Sequence, residues 1–147
     1  MGNQINIVPV DLTYRDAIIS LLQSERLPVS DLPPDLPHFL MATDNGNVVG
    51  GVGLEIYERN GLLRSLVVNP EYRNRRIAEG LISQLEALAR DQGLQAIYLL
   101  TETASEYFSK KGYETVPRTD APESLKQSSE FSHVCPTTAV LMRKNIV

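Results

Sequence analysis

One cysteine in 147 residues excludes an internal disulfide framework, and the default compartment for such a chain is the cytosol. Histidine is nearly as scarce. His38 and His133, with Cys135 two residues after the second, fall short of the three or four ligands of a zinc site, so no metal is expected. No stretch approaches the ~20 apolar residues of a membrane span, and the opening MGNQINIVPV lacks the basic start and long apolar run of a signal peptide. A cationic excess is missing as well: 14 Lys and Arg against 18 Asp and Glu leave a net charge of −4, which offers nucleic acid nothing global to bind. Neither a GxxxxGK[ST] loop nor a GxGxxG turn occurs, which disfavours a nucleoside triphosphatase and a dinucleotide dehydrogenase. Repeats and low-complexity segments are absent, and the stretch from Pro28 to Pro37 is too short to join domains.

What is present is an ordinary globular balance, 42% apolar and 22% charged, in a length that suits one domain spanning 1–147. Gln4 to Val10 reads as a strand. Thr13 with Asp16 makes a capping-box pattern before a helix to Glu25, which Pro28 ends. Phe39 to Thr43 and Val48 to Glu58 read as strands around the turn Asp44-Asn45-Gly46-Asn47, and a second turn at Asn60-Gly61 introduces Leu62 to Val68. Ile77, Leu81, Leu85 and Leu88 mark a helix face that stops at Gly93, and the apolar run Ala96 to Leu100 suits a strand covered on both faces. Thr103 with Glu106 opens a short helix closed by Gly112. A strand near Tyr113 to Val116, one or two helical turns within Ala121 to Ser129, and a last strand from Thr137 to Arg143 complete the chain. The order β-α-β-β-β-α-β-α-β-β predicts an α/β (α+β) fold with a mixed, mainly antiparallel sheet and helices on both faces.

The negative total conceals a basic junction. Arg64, Arg73, Arg75 and Arg76 against Glu71 give +3 within thirteen positions, leaving −7 for the rest. Three of these arginines sit where a strand turns into a helix. A helix N-terminus carries about four N–H groups without internal partners and roughly half a positive charge, so a diphosphate is the natural ligand.

Here the sequence resembles the GCN5-related N-acetyltransferase (GNAT) superfamily. Its signature, Gln/Arg-x-x-Gly-x-Gly/Ala, is occupied by Arg73-Asn74-Arg75-Arg76-Ile77-Ala78 after Ser65-Leu66-Val67-Val68-Asn69-Pro70-Glu71-Tyr72. The passage Tyr107-Phe108-Ser109-Lys110-Lys111-Gly112-Tyr113 is similar to the family's later helix-to-strand passage. More narrowly, Gly53-Leu54-Glu55, Leu62 to Leu66, Tyr98 to Thr101 and Glu130 to Pro136 look like the small acetyltransferases of arsenic-resistance operons. The resemblance implies acetyl-coenzyme A (acetyl-CoA) as co-substrate, lying where the fourth and fifth strands separate. The main chain of Leu66, Val67 and Val68 would pair with its pantetheine arm. Arg73 and the N–H groups of Asn74, Arg75, Arg76, Ile77 and Ala78 would hold its pyrophosphate. Arg76 departs from the signature glycine; with negative φ it would keep its N–H, while its Cβ narrows the approach.

In the family the substrate amine attacks the thioester directly, which calls for a base, an oxyanion donor and an acid for the sulfur. The usual acid is a tyrosine, and Phe108 stands at that position. Tyr107 is adjacent but ~100° away round the helix, so Tyr107 and no specific acid are both open. For the base, a two-residue turn at Asn60-Gly61 would put Glu58 opposite Leu63, Tyr57 opposite Arg64 and Glu55 opposite Leu66, leaving Arg64 diagonal to Glu55. Gly51 and Gly53 precede Glu55 on that face and would leave open space there. One reading makes Glu55 and Arg64 a structural pair. The other makes Glu55 the base and Arg64 a clamp for a substrate anion.

An α-amino group of pKa ~8 is about one-tenth neutral at pH 7, whereas a lysine-like amine near ~10.4 is neutral about once in 2,500 molecules. An amino-acid-like acceptor therefore needs little help. Arg64 with Ser65, Thr101, Thr103 and, by resemblance to the arsenic-operon group, Phe131 and Cys135 are the substrate-side candidates. The sequence thus predicts a cytoplasmic small-molecule N-acetyltransferase, with a non-catalytic acyl-CoA sensor for a protein partner as the rival. Nucleic acid and membrane are not expected partners, and monomer and homodimer both stay open.

Overall fold

The structure, a computed structural model, describes residues 5–27, 29–128 and 139–147. The readings placed on Gln4, Pro28, Ser129, Phe131, His133, Cys135 and Thr137 lie outside these residues. Among the described residues, seven strands are β1 (Ile5–Pro9), β2 (Phe39–Asp44), β3 (Asn47–Tyr57), β4 (Asn60–Val68), β5 (Ala96–Thr101), β6 (Glu114–Val116) and β7 (Val140–Asn145). The helices are α1 (Arg15–Ser24), α2 (Ile77–Asp91), α3 (Ser105–Ser109) and α4 (Glu123–Lys126). Hydrogen-bonded neighbours follow the order β1-β2-β3-β4-β5-β7-β6, so the α/β reading with a mainly antiparallel sheet holds. No helix among the described residues is long and apolar enough to cross a membrane.

Two compact units share the chain: Met1–Leu54 with Ser65–Leu88, and Glu55–Arg64 with Ala89–Val147. In the first, β1 and β3 flank β2 antiparallel, and Asn45 (φ +50) with Gly46 (φ +86) makes the expected tight turn. Helix α1 packs Ile18 and Leu22 onto Phe39, Met41 and Val67, with Leu32 and Leu36 closing the cluster. Its start differs from the capping box expected at Thr13. Asp11 is the cap, its Oδ1 accepting from the Thr13 N–H and from Thr13 Oγ1, both at 2.9 Å, so a single 3₁₀ turn precedes Arg15.

Gly53 lies opposite Phe39 in the β2–β3 ladder, and a Cβ there would sit 2.3 Å from the Phe39 ring. The space expected above this glycine is thus filled by an aromatic ring, which recovers the apolar contact that glycine cannot make.

In the second unit β4 runs parallel to β5 over Asn60, Gly61 and Leu62 against Ala96, Ile97 and Tyr98. Strand β5 is also bonded antiparallel to β7 along its whole length. The turn expected at Asn60-Gly61 is instead Glu58-Arg59, with Glu58 at φ +59. Bonds from β5 hold Asn60 and Gly61 inside the sheet, and that pairing outweighs the local turn preference of Asn-Gly. The expected opposition of Glu58 to Leu63 is lost with that turn. Leu62, Tyr98, Leu125 and Leu141 form this unit's core.

Candidate active site

The basic junction is built in the first unit. Asn69 Oδ1 accepts the Glu71 N–H at 2.9 Å and starts a 3₁₀ turn over Pro70–Tyr72. Tyr72 Oη donates to Asp44 Oδ2 at 2.6 Å, and the Arg75 guanidinium stacks over the Tyr72 ring, 4.8 Å from its centre. The chain then takes positive φ at Asn74 (+65) and again at Arg76 (+61), with Arg75 between them outside that region, before α2 begins at Ile77. Alternation of this kind turns successive N–H groups towards one side, the backbone concavity that binds anions. Arg76 therefore does not have the negative φ expected of it. It takes the conformation a glycine adopts without strain, at a cost of about 1–2 kcal/mol for a residue with a Cβ.

Beside this turn a cavity of about 360 Å³ is lined by Leu66, Val67 and Val68 of β4 and by Arg73 and Ala78 of the junction. Those five were expected at a cofactor site, and the structure brings them together. Of the others, Ile77 is 4% exposed and packs inward, while Asn74, Arg75 and Arg76 are exposed. Glu25 and Leu27, just past the end of α1, complete the cavity wall and were not foreseen. The ion pair between Arg73 Nη2 and Glu25 Oε1, at 3.0 Å, ties the far wall to the junction. A carboxylate at a helix C-terminus, against the helix dipole, is the sequence signal that could have marked Glu25, and it went unused in the sequence reading.

The second unit holds the polar cluster. Arg64 Nη1 donates to Glu55 Oε2 at 3.1 Å, and Tyr57 Oη donates to Glu55 Oε1 at 2.8 Å, so each carboxylate oxygen has its own donor. The buried Ser128 hydroxyl hydrogen-bonds to the phenol and was not foreseen either. Burial, then the bond to Glu55, push the Tyr57 phenol well above its ordinary value, so it serves as a donor and not as an acid to be ionised. The Arg64 side chain is fully covered, whereas that of Glu55 keeps 19% of its surface. Of the two readings of Arg64, a fully covered guanidinium held against Glu55 fits the structural pair and not the anion clamp. Ser65, next in the chain, takes φ +59 and interrupts the extended backbone of β4.

Tyr107 is 36% exposed on α3, edge-on to the buried ring of Phe108 and beneath Lys111 Nζ. Thr101 Oγ1 accepts the Ala104 N–H at 3.0 Å, so Thr101 organises the approach to α3. The cap expected of Thr103 is not made: α3 starts at Ser105 with Ala104 before it, and Thr103 is exposed. Cys135 lies outside the described residues. Among the described residues no group of His, Cys, Asp and Glu is placed to hold a metal ion.

An amino-acid acetyltransferase of Ectopseudomonas mendocina is 39% identical over 54 residues, a match spanning 37% of this chain and 12% of the relative's length. The N-acetylglutamate synthase of Neisseria gonorrhoeae, solved with coenzyme A and N-acetyl-glutamate, superposes on 100% of this chain and 36% of its own (TM-score 0.85, 16% identity). Rv2747 of Mycobacterium tuberculosis, solved with CoA and NLQ, superposes on 97% of this chain and 99% of its own (TM-score 0.83, 20% identity). Both likenesses show the fold. The profile of the Acetyltransferase (GNAT) family matches residues 11–114, and the chain belongs to that family.

Proposed function

We propose that the chain is one N-acetyltransferase domain that transfers the acetyl group of acetyl-CoA to the amine of a small, amino-acid-like molecule in the cytosol. The observation that carries this reading is the cavity bounded by Leu66–Val68, Arg73 and Ala78 at the start of α2. The β4 main chain would bind the pantetheine arm, and the N–H groups from Asn74 to Ala78 with Arg73 would hold the pyrophosphate. The acceptor nitrogen forms its bond to the acetyl carbon as the carbon–sulfur bond breaks, and the thiolate leaves. Glu55 takes the ammonium proton, directly or through water, while Arg64 and Tyr57 hold its two oxygens in place. Arg64 acts on the substrate only through Glu55. Tyr107 is the proposed acid for the sulfur, and Ser65, Thr101, Thr103 and Cys135 are the proposed acceptor-side residues.

An amino-acid-like acceptor is supported by the names of the matched relative and fold neighbours and by the small demand an α-amine makes on a base. The likeness to arsenic-operon acetyltransferases is a finer reading that rests on short motifs such as Gly53-Leu54-Glu55. Calorimetric titration with acetyl-CoA, followed by free-thiol release with a panel of amino acids and other amines, tests the proposal. Turnover fastest on an α-amine is the expected result. Binding without turnover on any amine would replace the enzyme by an acyl-CoA sensor, and no binding at millimolar ligand would remove both readings.

A further inference from the structure

Glu25 carries its charge where its own helix disfavours it. It follows Ser24 at the negative end of α1, and an acid there works against the helix dipole. The chain nevertheless fixes this position firmly. The Glu25 N–H bonds to the carbonyls of Leu21 and Leu22, Arg26 turns left-handed (φ +62), and the Leu27 N–H returns to the Leu22 carbonyl at 2.9 Å. That is a Schellman-type closure made without the usual glycine. It aims the Glu25 carboxylate across the cavity at Arg73, the one junction arginine that lines it.

The pair is built to be exchanged. It consists of one N–H···O contact at 3.0 Å, and the Arg73 side chain is 61% exposed. Exposed single-contact pairs are weak, whereas a phosphate can take a guanidinium by two parallel bonds. A carboxylate and a diphosphate cannot both stay close to one guanidinium without repelling each other.

We propose that Glu25 is a built-in competitor for Arg73: it holds the guanidinium until a diphosphate-bearing ligand enters the cavity and takes it over. Glu25 then sets the affinity of the site for the phosphate end of its ligand. The inference rests on the reading of this cavity as the coenzyme site.

Titration calorimetry of the full chain with coenzyme A, for wild type, Glu25→Gln, Arg73→Gln and the double variant, tests it. Glu25→Gln is expected to bind about two- to fivefold tighter at low salt, the scale of an exposed ion pair. The gain shrinks as salt rises to ~0.5 M, where screening acts within a few ångströms. At least half of it disappears in the Arg73→Gln background, and Glu25→Ala reproduces it. Unchanged or weaker binding by Glu25→Gln, a gain insensitive to salt, or a full gain without Arg73 would each overturn the proposal. Wild type that fails to bind coenzyme A at millimolar concentration refutes the coenzyme-site reading itself, whereas wild-type binding with an unaltered Glu25→Gln refutes only the competitor.

Discussion

The guanidinium of Arg64, fully covered by protein, lies 3.1 Å from the carboxylate of Glu55, which keeps a partly wet face. A charge buried so completely is tolerated only when its partners are in place, since removing one member of such a pair leaves the other uncompensated. Both Glu55 oxygens accept a hydrogen bond, one from Arg64 and one from Tyr57, while part of the carboxylate still meets solvent, so the proposed base is held in place and stays reachable.

Arg64→Ala is expected to cost about 3 kcal/mol of stability, the low end for breaking a buried pair because Glu55 retains some water. Urea unfolding measures it. In an acetyl-transfer assay on the folded fraction, kcat is expected to fall while KM for acetyl-CoA holds, the split that follows if Arg64 acts through the proposed base Glu55.

Tyr57 gives the protein an alkaline limb. Its phenol titrates above the ordinary tyrosine value of 10.0 in the folded chain, so the folded state keeps its proton where the unfolded state has lost it. The contribution is complete below pH ~10 and is lost as pH climbs towards the folded value. Tyr72, raised by its bond to Asp44, acts in the same direction. Urea midpoints measured from pH 8 to 11 are expected to fall in wild type and to fall less steeply in Tyr57→Phe.

Arg76→Gly relieves a left-handed residue at φ +61. After the extra chain entropy of glycine is subtracted, a gain of about 1 kcal/mol remains, or about 2–4 °C in Tm for a chain of this size. Arg76→Val, β-branched at the same φ, is expected to lower Tm. Calorimetric scans of both variants beside wild type settle the sign.

Gly53→Ala places a methyl group 2.3 Å from the Phe39 ring. The ring and strand must shift, an overpacking cost of about 1–3 kcal/mol. Pairing it with Phe39→Leu should recover part of the loss, and a double-mutant cycle in urea reads the coupling.

Much of this was legible from local chemistry. The helix faces of α1 and α2, the turn at Asn45-Gly46 and the glycine ends at Gly93 and Gly112 follow from period and from φ preferences. Glu55 and Arg64 meet even though the turn is Glu58-Arg59 and not Asn60-Gly61, because a turn displaced by two residues changes the register by an even number and leaves each side chain on its face of the sheet. Local preference failed where a distant strand competed: pairing with Ala96 and Ile97 drew Asn60 and Gly61 into β4.

By its sequence alone this protein is determined as an α/β chain with a basic strand-to-helix junction, since hydrophobic period, capping and charge placement are properties of neighbours in the chain. Tertiary structure decided which partners those residues meet. Arg73 finds Glu25 from 48 positions away, Phe39 covers Gly53, and Arg64 is sealed against Glu55 rather than left open to a ligand. The path of the backbone sets those distances, and the energy of burying a charge or a ring depends on what surrounds it, which no local pattern encodes.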